Sequence, residues 1–352
     1  MSDGEHFRHQ PVMVDEIAEL FATVPSGIVL DATVGGGGHS EAILERRTDV
    51  TILGIDRDPA ALAAAAARLA RFGHRVTTVH ARFDDRAALT KAMRAIDHQS
   101  AAPVDVMDDP APDEPAEERE HDMQTLAQDI DETMQRLSGA LFDLGVSSPQ
   151  LDDGRRGFSY RHDGPLDMRM DTTASWSAAD VVNGYEALEL ARVLRRYGDE
   201  RFATRIARAI VAARPLETTA ELAAVVTSAI PAPARRTGGH PAKRTFQAIR
   251  IEVNAELTAL PDALDAAIDA TRPGGRIVVL SYHSGEDRIV KERFRKAAGA
   301  CDCPPDLPCV CGAVQTVRLV RGVPKRPSDD ERARNPRASS ARLRVAERTG
   351  AA

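Results

Sequence analysis

The feature that most constrains this chain is a run of four glycines, Gly35 to Gly38, between an apolar segment ending at Asp31 and a helical run from Ser40. A strand, a glycine turn and a helix in that order point backbone N–H groups outward at the carboxyl edge of a parallel sheet, where a ligand can approach the main chain. Eighteen residues past Gly38 a second apolar segment, VTILGID, ends at Asp56. An acid at that strand end accepts hydrogen bonds from ribose hydroxyls. The pair of features predicts a nucleoside-containing cofactor. The spacing does not meet the GxGxxG of nicotinamide enzymes, because Ser40 stands at the last position, and no GxxxxGK[ST] phosphate loop occurs. S-adenosylmethionine, with adenine and ribose but no phosphate, fits better. Asp31 is then expected to face its amino or sulfonium side, and Phe83, just after a third strand, to cover its adenine.

The rest of the chain extends this pattern. RVTTVHARF, GALFDLGV and RIVVLSYHS read as further buried strands, with helices from Asp58 to Leu69, Asp84 to Ile96 and Thr245 to Ala259 between them. VQTVRLVRG and SARLRVAER alternate apolar and polar residues, as antiparallel or edge strands do. The predicted fold is α/β: a Rossmann-like methyltransferase sheet, residues 1–150 plus 240–352, with an inserted all-helical domain, 151–239, suited to substrate recognition. In that insert Leu190, Val193, Leu194 and Tyr197 share one helix face, and Thr218 and Thr219 ahead of Glu221 mark a helix start. Residues 98–135 break the pattern with Pro, Asp and Glu and read as a flexible acidic insertion, with a helix from Met123 to Leu137.

Charge is uneven along the chain. The net charge is −7, yet residues 101–138 alone hold 12 acids against 2 bases, so the acidity belongs to one stretch. The segment from Thr316 to Arg348 holds 10 Arg and Lys against 4 acids, a tail able to pair with nucleic-acid phosphates or to stay solvated. Aromatic residues are only 4%, so the core must be aliphatic. MSDGEHFRHQPVM lacks the pattern of a signal peptide and no apolar run reaches membrane-spanning length, so a cytoplasmic protein with no membrane partner is expected.

Asp143-Leu144-Gly145-Val146-Ser147-Ser148-Pro149-Gln150 closes the fourth strand. Methylating an exocyclic amine requires acceptors that hold the nitrogen while its lone pair turns toward the methyl group. Ser147, Ser148 and Pro149 are the catalytic candidates, an imperfect match to the Ser/Asp/Asn-Pro-Pro-aromatic signature of amino-methyltransferases. The cysteines argue against pyrimidine carbon-5 methylation, which needs a cysteine nucleophile: all four lie between 301 and 311, away from the strand ends. Cys301, Cys303, Cys309 and Cys311 read either as a structural zinc site or as a reduced loop.

At this point the motifs HQPVM, DATVGGGGHS, GIDRDP, DLGVSSPQLDDGRRGFSYRHDGPLDMRMD, FQAIRIEVNAEL, SYHSGEDRIVK and NPRASSARLR, in order along most of the chain, resemble the RsmH (MraW) family of bacterial ribosomal RNA small-subunit methyltransferases. The block from Asp143 to Asp171 is the most specific. The resemblance implies S-adenosylmethionine-dependent methylation of the N4 amine of cytidine 1402 (standard rRNA numbering) in 16S rRNA, within the small ribosomal subunit. Carried over residue by residue, it implies cofactor contacts at Gly37, Gly38, His39, Asp56, Phe83, Asp143 and Gln150. Two departures stand out: the long acidic insertion, and Gly285 where leucine is expected in SYHSGEDR. His283 and Glu286 beside it read either as substrate contacts or as structural hydrogen-bonding groups.

Two basic groups, Arg155, Arg156, Arg161 and Arg169, then Arg235, Arg236, Lys243, Arg244 and Arg250, are expected to line an RNA channel with the tail, or else to be scattered solvated cations. A homodimer is compatible with the sequence. Two other classes stay open: a DNA amino-methyltransferase, and a non-catalytic ribosome assembly factor with a vestigial pocket.

Overall fold

The computed structural model describes residues 11–100, 137–236, 239–301, 303, 310 and 312–350. The first half of the chain alternates helix and strand: α1 (Val14–Phe21), β1 (Gly27–Asp31), α2 (Gly38–Arg46), β2 (Val50–Asp56), α3 (Pro59–Leu69), β3 (Val76–His80), α4 (Arg86–Ser100) and β4 (Leu137–Asp143). Seven helices follow: α5 (Ser148–Asp152), α6 (Ala178–Gly184), α7 (Ala187–Gly198), α8 (Ala203–Ala212), α9 (Thr219–Ala229), α10 (Lys243–Asn254) and α11 (Glu256–Ala270). The chain then returns to β5 (Thr271–Ser281), α12 (Ser284–Ala297), β6 (Val317–Leu319), α13 (Asp329–Arg334) and β7 (Arg342–Arg348). The expected acidic insertion and the helix proposed from Met123 fall almost wholly outside the described residues.

Two compact units result. The first comprises Pro11–Asp56, Ala60–Leu144 and Leu260–Ala352. Its sheet has the order β3-β2-β1-β4-β5-β7-β6, parallel through β5, with β7 antiparallel to both β5 and β6. This is the mixed seven-stranded sheet of the S-adenosylmethionine methyltransferase fold. The order reverses beside β1, between β1 and β4, so ligands are expected outside the carboxyl ends of those strands.

Successive strand residues point to opposite faces, and here both faces are apolar. Ile28, Leu30, Leu53, Ile55, Ala140, Phe142, Ile277 and Val279 form one core with Met93 of α4, Leu264 of α11 and Phe294 of α12. Val29, Ile52, Leu141, Val278 and Leu280 form the other with Ile17 of α1, Ile43 of α2 and Leu69 of α3. Burying an aliphatic side chain of this size contributes about 1.5–3 kcal/mol, which is why an almost aromatic-free sequence supports this sheet. Pro273, Gly274 and Gly275 form an irregularity inside β5: pairing with β4 jumps from Thr271 to Arg276.

The second unit, Arg57–Pro59 and Gly145–Ala259, has a helical core that includes Val181, Leu190, Leu194, Ile206, Ile210, Leu222, Val226, Phe246 and Ile249. Leu190, Val193 and Leu194 are buried on α7, and Tyr197 is half-buried there, as their spacing predicts. Thr218 caps α9, accepting a hydrogen bond from Glu221 N, while Glu221 accepts from Thr218 N. The unit is larger than the expected 151–239 because α10 packs on α7 and shares its core.

The single helix expected from Thr245 to Ala259 is two helices. Ala255 takes a left-handed conformation (φ 49°), and the buried Asn254 amide is drawn away to Met170 N, Met168 O and Arg250 O. No helix among the described residues is long and apolar enough to cross a membrane.

Candidate active site

The glycine loop closes the carboxyl edge of the sheet unit. Gly35 and Gly37 both have positive φ, 51° and 77°, which favours glycine. Gly37 caps α2, and a Cβ there would lie 3.1 Å from Leu69 Cδ1. At Gly38 a Cβ would meet Pro11 Cγ at 2.7 Å, so both are also glycines for close packing. At Gly35, by contrast, a Cβ would find only Thr33 O, at 3.8 Å. Open space lies at that position.

Neighbouring strand ends fix the loop. Val34 N donates to Ile55 O at 2.8 Å, and Gly35 N donates to Asp56 Oδ2 at 2.9 Å. Asp56 is half-buried at the end of β2, where the spacing places it. Thr33 Oγ1 accepts from Asp143 N at 2.7 Å, tying the loop to the end of β4.

Asp31, expected to face the cofactor, is closed off instead. It is 1% exposed, accepts a 2.6 Å hydrogen bond from Ser40 Oγ and accepts from Thr33 N. Burial pushes its carboxyl up to about 6, against the Ser40 hydrogen bond and His39, which pull it down. Its side chain staples β1 to the first turn of α2.

Asp143, at the end of β4, is half-buried and keeps part of its carboxylate open. Oδ1 accepts from the Tyr282 hydroxyl at 2.7 Å, and Oδ2 lies 3.6 Å from His39 Nδ1. His39 is buried, with Nε2 2.9 Å from Val12 O. Since a carbonyl only accepts, Nε2 carries hydrogen. Burial, then the Asp143 charge and hydrogen bond, hold the Tyr282 phenol well above its ordinary value, so it stays a donor. Tyr282 received no role from the sequence. The signal was its place directly after the apolar run of β5, beside Asp143 in the sheet order.

Phe83 follows β3 as expected, half-buried, and meets Phe142 edge-on at 6.0 Å. His283 and Glu286 have a structural role. Glu286 is 2% exposed and accepts from Tyr282 N and His283 N at 2.7 and 3.2 Å, while His283 Nδ1 accepts from Glu286 N as the cap of α12.

The other candidates stand in the helical unit. Ser147, Ser148 and Pro149 open the five-residue helix α5, with Ser147 as its cap. Gln150 Oε1 accepts from Ser147 N at 3.0 Å, and its Nε2 donates to Asp58 Oδ2 at 2.8 Å. Arg156 Nη1 donates to the same oxygen at 2.9 Å, and Nη2 to Arg169 O and Met170 O.

This corrects part of the expected RNA channel. Arg156, Arg169 and Arg250 are ion-paired within the unit, to Asp58, Asp167 and Glu256, and Arg155 is paired with Asp153. Arg235 and Arg244 donate to backbone carbonyls. Sequence displays cations but not their partners. Lys243 and Arg161 are exposed.

Cys303 N donates to Cys301 Sγ at 3.2 Å, and Cys309 and Cys311 lie outside the described residues. Two thiols do not complete a tetrahedral zinc site, and no group of three or more His, Cys, Asp or Glu among the described residues is placed to hold a metal.

Known proteins resemble the chain along nearly its whole length. The model of the "MraW methylase family" matches residues 6–349. The ribosomal RNA small subunit methyltransferase H of Heliobacterium modesticaldum is 45% identical, covering 97% of this chain and 99% of that one. Its counterpart from Symbiobacterium thermophilum is 46% identical over 96% of both chains, and that of Acidothermus cellulolyticus 48% identical over 97% and 93%. With a family model matched end to end and relatives at these identities, the chain belongs to the MraW methylase family.

Proposed function

We propose that this protein transfers a methyl group from S-adenosylmethionine to 16S rRNA of the small ribosomal subunit, at the N4 amine of the cytidine at position 1402. Family membership supports the rRNA substrate, and the carboxyl edge of the sheet supports the cofactor. The observation that carries the cofactor reading is the donor set there. Asp56 ends β2 and Asp143 ends β4, on either side of β1, and a Cβ at Gly35 between them would meet nothing nearer than 3.8 Å. Two acids suit hydroxyls and an ammonium group and would repel a phosphate, so they fit S-adenosylmethionine better than a dinucleotide or a triphosphate.

When bound, S-adenosylmethionine supplies a sulfonium methyl group to an attacking amine. The residues of this chain hold and orient. Asp56, while bracing Gly35, is placed to accept from ribose hydroxyls. Asp143, fixed by Tyr282, would hold the ammonium group, and Phe83 would border the adenine. The resemblance adds Gly37, Gly38 and His39 to these contacts.

Labelled S-adenosylmethionine incubated with mature small subunits, naked 16S rRNA and duplex DNA from cells lacking the activity tests the proposal. Nucleoside mass spectrometry should find N4-methylcytidine in small-subunit RNA. Label confined to DNA would establish an amino-methyltransferase of DNA instead. Cofactor binding without label in any substrate would leave an assembly factor.

A further inference from the structure

The helical unit carries an aromatic pair that reaches from the edge of its core to the surface and that the proposed cofactor site does not use. The Tyr160 ring stacks on the His240 imidazole with centroids 4.4 Å apart and planes 17° from parallel. Its edge rests on buried Phe246 of α10, at 5.8 Å and 82°. Both rings are held in place from their own segments. Ser159 Oγ accepts from Arg161 N and His162 N, fixing the turn around Tyr160. His240 Nδ1 accepts from Ala242 N at 3.2 Å, which sets the ring's orientation and leaves the hydrogen on Nε2.

An aromatic pair serving only the core would be buried. Here Tyr160 is half-buried and His240 exposed. The surroundings are cationic: the Arg161 guanidinium lies 5.8 Å from the Tyr160 ring centroid, and Lys243 opens α10 three residues after His240. Among the described residues neither cation has an acidic partner, unlike Arg155, Arg156, Arg169 and Arg250.

We infer that the Tyr160–His240 stack is a platform for one unpaired base of the RNA substrate, with Arg161 and Lys243 meeting the neighbouring phosphates. The inference rests on the RNA reading above. A flat, pre-ordered π surface bordered by unpaired cations matches a single-stranded nucleotide, whose base stacks while its phosphate takes the charge. Tyr160 orders His240 from below, and the imidazole supplies the outer face.

The test is steady-state methylation of small subunits by wild type, His240→Ala and His240→Phe, with cofactor affinity measured in parallel. His240→Ala should raise KM for the subunit about five- to hundredfold, the range that base–aromatic stacking covers, with cofactor affinity unchanged. His240→Phe, which keeps a stacking face, should stay within about threefold of wild type. A subunit KM unchanged in His240→Ala, or one raised equally in both variants, overturns the platform and leaves the RNA reading standing. Wild type that methylates no small-subunit RNA overturns that reading, and the platform with it.

Discussion

Two acids at the carboxyl edge of the sheet and three acids of the helical unit are held in opposite ways. At the sheet edge, Asp31 and Asp143 have no arginine or lysine partner among the described residues; their neighbours are the Ser40 and Tyr282 hydroxyls, a backbone amide and His39. In the helical unit Asp58, Asp167 and Glu256 each meet a guanidinium at 2.9 Å or less. An acid neutralised by arginine is spent on folding. An acid held by neutral donors is harder to ionise when buried, and is not thereby a binding group: Asp31, closed over by Ser40, is structural, while Asp143 keeps part of its surface open. Partner and exposure together separate structural acids from those available for binding, which residue type alone does not do.

The sharpest way to break this comparison is at Arg156. Asp58 is 3% exposed, and Arg156→Met removes the Arg156 guanidinium from it while keeping an apolar stem. Stripping one partner from a buried pair costs about 3–5 kcal/mol, so chemical denaturation should show a loss of that size. Adding Asp58→Asn should recover much of it. If the single variant is as stable as wild type, the pair is not what holds Asp58.

Asp31 tests the opposite case. Its folded carboxyl sits near 6, above its ordinary 3.8, because burial penalises the charge. The folded state therefore holds the proton more tightly than the unfolded chain, and stability falls as pH rises from about 4 through 6. Asp31→Asn cannot ionise, and the Ser40 hydroxyl can turn to accept from its amide. Relative to that variant, wild type should lose on the order of 2 kcal/mol between pH 4 and pH 7, read from paired melting curves. Parallel pH curves would mean that Asp31 does not titrate in this window.

A smaller effect, on binding, is expected at Asp56. Asp56→Ala removes charge-assisted hydrogen bonds worth about 1.5–3 kcal/mol, so S-adenosylmethionine affinity should fall roughly ten- to hundredfold while the protein remains folded. Calorimetry that finds unchanged affinity in a folded variant would end the ribose assignment.

Asp56 also marks how far the sequence was legible. Four parallel strands with both faces buried leave apolar runs that end where the sheet ends, so Asp56 and Asp143 could be placed by counting. The glycine loop was readable for the same reason. What could not be read was partnership between residues distant in sequence. Asp31 looked like a ligand group until Ser40, in the next helix, closed over it. Arg156 looked like an RNA contact although its partner lies 98 residues earlier. The expected helix through Ala259 breaks at the left-handed Ala255, next to Asn254, whose side chain bonds Met170, 84 residues away. Periodicity reports which face is buried; it carries no information about which polar groups meet inside.

The smallest predicted effect sharpens the comparison within the helical unit. Asp167 pairs with Arg169 through two hydrogen bonds, but their side chains keep 21% and 26% of their exposure, against 4% and 17% for Asp58 and Arg156. Burial would raise the Asp167 carboxyl, and the Arg169 hydrogen bonds outweigh it, so the group sits below its ordinary value. A lowered carboxyl contributes stability that is complete above about 4 and is lost as pH falls through the folded value, the reverse of Asp31. Asp167→Asn keeps an oxygen for Arg169 N and leaves untouched the backbone carbonyl that accepts from Ala178 N. The charge is removed, and with it the acceptor for Arg169 Nη2, but solvent already screens the pair. The variant should lose on the order of 1 kcal/mol at pH 7, clearly less than Arg156→Met, with the gap to wild type closing below pH 4. A loss as large as that of Arg156→Met would show that exposure does not grade these pairs. A gap that stayed constant down to pH 3 would show that the lost stability came from packing and not from the carboxylate charge.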